Sequence, residues 1–387
     1  MREATLEHYS SVQQLLLSGW DSILGQGDFY VSTGWLRVAE IATPSPAVYL
    51  LAKDPIRQQA LAGLVCYQID EHAPLVFTRI DKVLLHLITR REPDRLHDGG
   101  FFYRLLPNLL CGGRQAAYSR VPRLSGMNED LQRGLVDQLL SAAEETASSI
   151  GSRSISFLYV DADDAILRER LRAANFVEFF HTYRCVLDIS WSDFDGYLGQ
   201  FSSHRRVAIR RELRKLGDAG VVTEMRQLTE DLAPILAELE LQLVRKYGGP
   251  RTREQLERNL RTLAVYLPHE SLVAMAACGD VIRGFAAIAH WGQELYPRNV
   301  GFDYGFQRKL PLYFAVVFYE PVKYAIRNGV KRIEYGIGSL DAKISRGCRA
   351  VPLYGYVKSL DEYEQNELKL LLAGLMEQVP IGSGVDP

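Results

Sequence analysis

Asp303 and Glu334 stand at the ends of two apolar runs that read as strands, and both face one Gly-rich turn. An acid so placed could accept the proton of an attacking ammonium group, as general-base aminolysis requires. Paired acids at strand ends also commonly bind a neighbouring arginine. Tyr335 follows Glu334 and precedes Gly336-Ile337-Gly338, so its phenol could donate to a leaving ester or stack on a base. Beyond the turn, Lys343, Arg346 and Arg349 lie on a short loop whose first part is flanked by Gly338 and Gly347. Glycine permits positive φ and close backbone approach, and cations there would stabilise a phosphate or a developing oxyanion. An exposed, mobile loop would have the same composition. Tyr304, Tyr313, Tyr319, Tyr354 and Tyr356 enrich the same half in phenols, although most buried tyrosines only pack and satisfy one hydrogen bond.

A second constellation lies upstream in Ser202–Leu216, SSHRRVAIRRELRKL. Arg205, Arg206, Arg210, Arg211, Arg214 and Lys215 stand there against a single acid, Glu212, a local balance of +5. Arg206, Arg210 and Arg214 recur every four residues and so share one face of a helix. Guanidinium groups grip phosphate bidentately, and such a stripe would serve a tRNA backbone, a nucleotide diphosphate or the CoA pyrophosphate equally. The alternative is a solvated face whose arginines pair with acids on a neighbouring element.

These groups need a scaffold, and the pattern of elements supplies one. From 302 to 356 the order is strand, amphipathic helix, strand, glycine turn, loop, strand. Helical periodicity over Glu129–Ser148 stops at Gly151, and a buried strand, Ser154–Val160, follows. The helix 312–327 stops at Gly329 before strand Arg332–Tyr335 in the same manner. This echo implies a tandem duplication, with one unit over residues 1–190 and a second over 191–387 that is expected to carry the donor site. Further helices are expected at 11–25, 33–42, 165–174, 229–247 and 252–265. Strands are expected at 47–53, 60–67, 176–187, 221–225, 272–278, 281–289 and 295–303, and Leu353–Lys358 closes the second sheet. Residues 93–100 and 111–114 read as loops, and the final IGSGVDP as a frayed tail.

With 387 residues, 47% of them hydrophobic, each half can bury its own core without disulfides or metals. A net charge of −2 gives no global attraction to DNA or an anionic membrane. The five cysteines are dispersed, with no zinc spacing, which suits a reducing cytoplasm. The first residues lack the basic stretch and unbroken apolar run of a signal peptide, and no apolar segment approaches the length of a membrane span. The expected location is therefore cytoplasmic. A nucleophile elbow, a P-loop and a dinucleotide fingerprint are all absent from the sequence.

The arrangement resembles the GNAT superfamily, and two units in tandem resemble its Fem-like aminoacyltransferases. The likeness rests on SSHRRVAIRRELRKL, on Phe302–Gly305 with Leu310–Tyr313, and on Glu334–Gly338 followed by Lys343 and Gly347. It is good over about residues 195–358. Glu334 stands where the family usually has aspartate, and Arg346 where an aromatic residue is expected. The resemblance implies an α+β fold of two GNAT-like units, each a mixed, mostly antiparallel splayed sheet flanked by helices. It also implies amide-forming transfer to a small-molecule or peptide amine, without metal or permanently bound cofactor, from aminoacyl-tRNA or alternatively acyl-CoA. On that reading Lys343, Asp303, Glu334 and Tyr335 are the catalytic candidates. Arg206, Arg210, Arg211, Arg214, Arg346, Gly336 and Gly338 would hold the donor. The CoA-cradling loop of ordinary GNAT enzymes has one match, Arg214–Ala219, and that match closes a helix instead of following a strand. A catalytically silent binding protein with this fold is the remaining alternative.

Overall fold

A computed structural model describes residues 4–91, 100–306 and 310–375. Most of the loop expected at 93–100, and the tail from 381, lie outside these residues. The fold is α+β, and the chain divides into two compact units. Unit one comprises residues 1–184 with 351–387, and unit two residues 185–350. Residues 351–387, expected in the second unit, thus belong to the first.

In unit one, strands β1 (Thr5–Tyr9), β2 (Ala47–Lys53), β3 (Ala60–Ile69) and β4 (Asn108–Cys111) form an antiparallel run. The short β4 then pairs parallel with β5 (Ser154–Asp161) over its whole length. A helix, Glu129–Ser149, crosses between them and packs Leu135, Val136, Leu139, Leu140 and Ala143 into the core, alongside Leu64, Leu109, Ile155 and Phe157. These positions recur at three and four residues, the stripe a core-facing helix needs. In unit two, β7 (Val221–Gln227), β8 (Ser271–Cys278), β9 (Val281–Trp291) and β10 (Glu294–Phe302) repeat the antiparallel run. There β10 is parallel to β11 (Arg332–Gly336), and the crossover is the helical stretch 312–327.

The two crossovers end alike. Gly151 and Gly329 adopt φ of 72° and 68°, and the next N–H reaches back five residues, Ser152 to the Ala147 carbonyl and Val330 to that of Ala325. This is the Schellman ending, which satisfies a terminal carbonyl and requires a left-handed residue. The strands that finish the sheets are exchanged, however. β6 (Val177–Asp188) follows β5 in the chain, yet its last four residues, Cys185–Asp188, pair with β11 in unit two. β12 (Arg349–Ser359) follows β11, yet Leu353–Ser359 pairs antiparallel with β5 in unit one.

Several local expectations change. The helix expected at 11–25 is a short helix, Val12–Leu15, and a 3-10 turn, Trp20–Ile23, separated by Gly19 at φ 86°. Cys111, expected in a loop, ends β4. Within 312–327, residues Ala315–Tyr319 form a π-helical turn, a widening often found at functional sites.

Candidate active site

The opening in unit two lies between β10 and β11. They pair only at Glu294 with Arg332 and at Leu295 with Ile333, after which neither strand has a parallel partner in the other. Two features of β10 accompany the parting, Pro297, which lacks an N–H, and a slip of register against β9 between Pro297 and Val300. The corresponding strands of unit one stay paired over four residues, and Ser119 continues the parallel pairing at Val160. The sheet is open in unit two and closed in unit one.

Tyr335 is the penultimate residue of β11. It is 7% exposed, and its ring stacks on Phe318 of the π turn at 4.5 Å between centroids. Its hydroxyl is buried with no hydrogen-bond partner among the described residues, and burial raises its pKa well above the ordinary phenol value, with Cys348, Tyr197 and Tyr313 adding to the shift. Tyr313 is pushed up to about 12 and Cys185 to about 11, in both cases first by burial. The interior around Tyr335 therefore holds neutral phenols and thiols, a set of weak donors in an aromatic wall that also includes Phe302 and Phe314.

Lys343 is 5% exposed, on a short helix, Leu340–Ile344. Its ammonium donates to the carbonyls of Tyr335 (2.8 Å), Gly336 (3.2 Å) and Ile337 (2.7 Å). Three donors meet three acceptors, so the lysine braces the turn that carries Tyr335. Gly336 and Gly338 have φ of 65° and 79°, and a Cβ on Gly338 would meet nothing within 4 Å. Gly347, at φ 88°, lies against the Gln200 carboxamide.

Arg346, expected to hold phosphate, is instead an internal strut. It is 2% exposed and donates twice from Nη2 to Glu212, at 2.9 and 3.0 Å, and from Nε to the Tyr319 hydroxyl at 3.0 Å. Its guanidinium carbon lies 3.6 Å from the centre of the Phe314 ring, and its carbonyl accepts from Tyr197. Tyr319 also donates to Glu212.

That pairing orients the basic helix, Ser203–Asp218, whose N-cap Ser202 accepts from the Arg205 N–H. Glu212, its sole acid before Asp218, lies on the face of buried Ile209 and Leu216 and turns inward to Arg346. The predicted arginine stripe is not continuous. Arg206 folds back onto the Phe201 carbonyl at 2.6 Å, and Arg210 reaches Asp195 at 3.2 Å. Arg211, Arg214 and Lys215 are exposed and make no ion pair among the described residues. Arg349 pairs with Asp188 at 2.6 Å.

The two acids do not share one environment. Asp303 accepts from the Phe306 N–H at 3.0 Å with one oxygen and pairs with Arg283 at 2.6 Å with the other. Burial would raise its pKa, but these partners outweigh it and hold the carboxyl below the usual range, which makes it a poor proton acceptor. Glu334 is buried in β11, with Arg332 4.0 Å away. The sequence reading missed the inward turn of Glu212, although its spacing from Ile209 and Leu216 carried the signal. It also missed Phe314 and Phe318, whose role depends on the π turn. Among the described residues, no group of three or more His, Cys, Asp or Glu could hold a metal ion, and no helix is long and apolar enough to cross a membrane.

Two solved structures share this fold at TM-scores above 0.5. The crystal structure of FemX superposes with a TM-score of 0.60 at 12% identity, covering 94% of this chain and 100% of that one. A conserved protein of unknown function from Bacteroides thetaiotaomicron gives 0.53 at 11% identity, with 91% and 99% covered. A tandem GNAT protein from the clavulanic acid biosynthesis pathway gives 0.45 at 13% identity, with 92% and 98% covered. No curated protein matches in sequence. The FemAB-like family model, described as peptidoglycan biosynthesis/recognition, matches residues 119–377, about two thirds of the chain. The chain belongs to the FemAB-like family.

Proposed function

We propose that this protein is an amide-forming transferase that takes an amino acid from aminoacyl-tRNA and passes it to an amine acceptor, a cell-wall precursor or a small metabolite, in the cytoplasm. The observation that carries this reading is the parting of β10 and β11 beside a buried, unpartnered Tyr335 hydroxyl. An extended acyl group would lie in the parted sheet, and the phenol would donate to its carbonyl oxygen. Membership of a peptidoglycan biosynthesis/recognition family supports the acceptor class, and the exposed Arg211, Arg214 and Lys215 support an anionic donor.

The acceptor nitrogen attacks the ester carbonyl, the amide C–N bond forms, and the C–O bond to the tRNA breaks. The ammonium gives one proton to a base before attack and a second as the amide forms, and the departing 3′-oxygen takes up one proton and ends as a hydroxyl. Aminolysis of an activated ester is intrinsically facile, so positioning supplies much of the rate. Lys343 fixes the 335–337 backbone through its three carbonyl bonds, and an N–H near residues 336–338 would face the oxyanion. Glu334 remains the candidate proton acceptor of the original pair.

The test incubates purified protein with charged tRNA or acyl-CoA and a pool of amines, with RNase as control. An amide product abolished by RNase supports the proposal. RNase-resistant product with CoA release replaces the donor, and no product with either removes the transferase reading.

A further inference from the structure

One buried acid in unit two has no part in this scheme. Glu240 lies on the helix Ala233–Lys246, 2% exposed. Its Oε1 accepts from Asn299 Nδ2 at 3.0 Å and from Arg251 Nη1 at 3.1 Å. Its Oε2 is buried with no hydrogen-bond partner among the described residues. A carboxylate left half-satisfied in the interior costs stability, and burial raises the Glu240 pKa despite Asn299, Arg251 and Arg298.

The surroundings locate this acid. Asn299 falls in the stretch of β10 where register slips between Pro297 and Val300, beyond the point where β10 leaves β11. Gly301 lets the helix lie on that strand, because a Cβ there would come 2.4 Å from the Glu240 nitrogen. The helix is tied down again where Tyr304 N–H donates to the Gln242 carboxamide at 3.1 Å. The buried, half-satisfied carboxylate is thus held on rigid elements against the irregular half of the parted strand. Arg251, in the link between the helices Ala233–Lys246 and Arg253–Tyr266, has a side chain 47% exposed and reaches Glu240 from the surface.

We propose that Glu240 and Asn299 form a binding site for a primary ammonium group, the acceptor's amine. An ammonium has three N–H donors and no acceptor. Oε2 of Glu240 takes one of them, and the Asn299 carboxamide oxygen is a second acceptor. The site selects a compact cation able to donate hydrogen bonds and discriminates against neutral or fully alkylated groups. The assignment rests on the transferase reading of unit two, but its test does not depend on transfer.

The probe is n-propylammonium, titrated into the full-length protein and followed by calorimetry or ligand-observed NMR, with n-propanol and tetramethylammonium as controls. Wild type is expected to bind n-propylammonium and neither control. Glu240→Gln keeps the shape and should weaken binding about tenfold or more, with Asn299→Ala weakening it less. Thermal melts establish that both variants are folded, and Arg57→Ala, on an exposed turn of unit one, should bind the probe as wild type does. No binding by wild type, equal binding by folded Glu240→Gln, or equal binding of n-propanol overturns the site. Intact ammonium binding with no amide from either donor would leave the site standing and sink the transferase reading alone.

Discussion

Tyr335 and Lys343 adjoin the same turn, yet their substitutions should fail in different ways. Removing an unpartnered buried hydroxyl is close to neutral for folding. Tyr335→Phe should therefore unfold in urea within about 0.5 kcal/mol of wild type while losing about tenfold or more in transfer rate. Unchanged turnover would take the phenol out of the chemistry. Lys343→Met strands three inward carbonyls, so stability should fall by about 3 kcal/mol together with activity. Glu212→Gln leaves the Arg346 guanidinium buried and uncompensated, a loss of about 3–5 kcal/mol by denaturant titration. Asp303 has a folded pKa below its unfolded one, so its contribution is present above the unfolded value, about 3.9, and is lost as pH falls through the folded value. Wild type should exceed Asp303→Asn in stability at neutral pH, and acid unfolding curves should converge below about pH 4. The types of these side chains were readable in sequence, but their partners were not. Arg346 and Lys343 looked alike as loop cations, and only tertiary burial separates a strut from a brace.

Helices and strands of the second half were the most legible features, because their periodicity is long and their ends are punctuated. Gly329 and Gly151 stop their helices by the same backbone requirement, and the helices expected at 229–247 and 252–265 lie at Ala233–Lys246 and Arg253–Tyr266. The π turn at Ala315–Tyr319 was invisible, since one extra residue per turn leaves no mark in a short apolar run. The parting of β10 from β11 was likewise hidden, because strand pairing is non-local. The contact of helix Ala233–Lys246 with β10 depends on Gly301 having no side chain. Gly301→Ala meets backbone, which cannot rotate away, so about 1–3 kcal/mol of stability should be lost. Propylammonium binding should weaken with it, and a variant indistinguishable from wild type by urea titration and calorimetry would contradict this packing.

The chain's overall charge, −2, says little about its partners because the cations are gathered locally. If Arg211 and Arg214 meet donor phosphates, the double reversal Arg211→Glu/Arg214→Glu should weaken tRNA binding about tenfold or more at ~50 mM salt and lower the salt slope by about 2. A slope unchanged by the reversal would separate this helix from the donor.

The exchange of closing strands bears on how the protein is made. Translation delivers residues 1–184 first, yet the sheet they form has no β12 against β5 until Val351 and its successors emerge. The side chains of Glu364 and Gln365, which seal that unit at Arg153 and Asn175, arrive later still. Residues 1–184 must therefore wait for residues 351–375, their unpaired β5 edge open meanwhile to any passing strand. A nascent chain halted at Ala350 should be protease-sensitive across residues 108–161, and one carried through Leu375 should not.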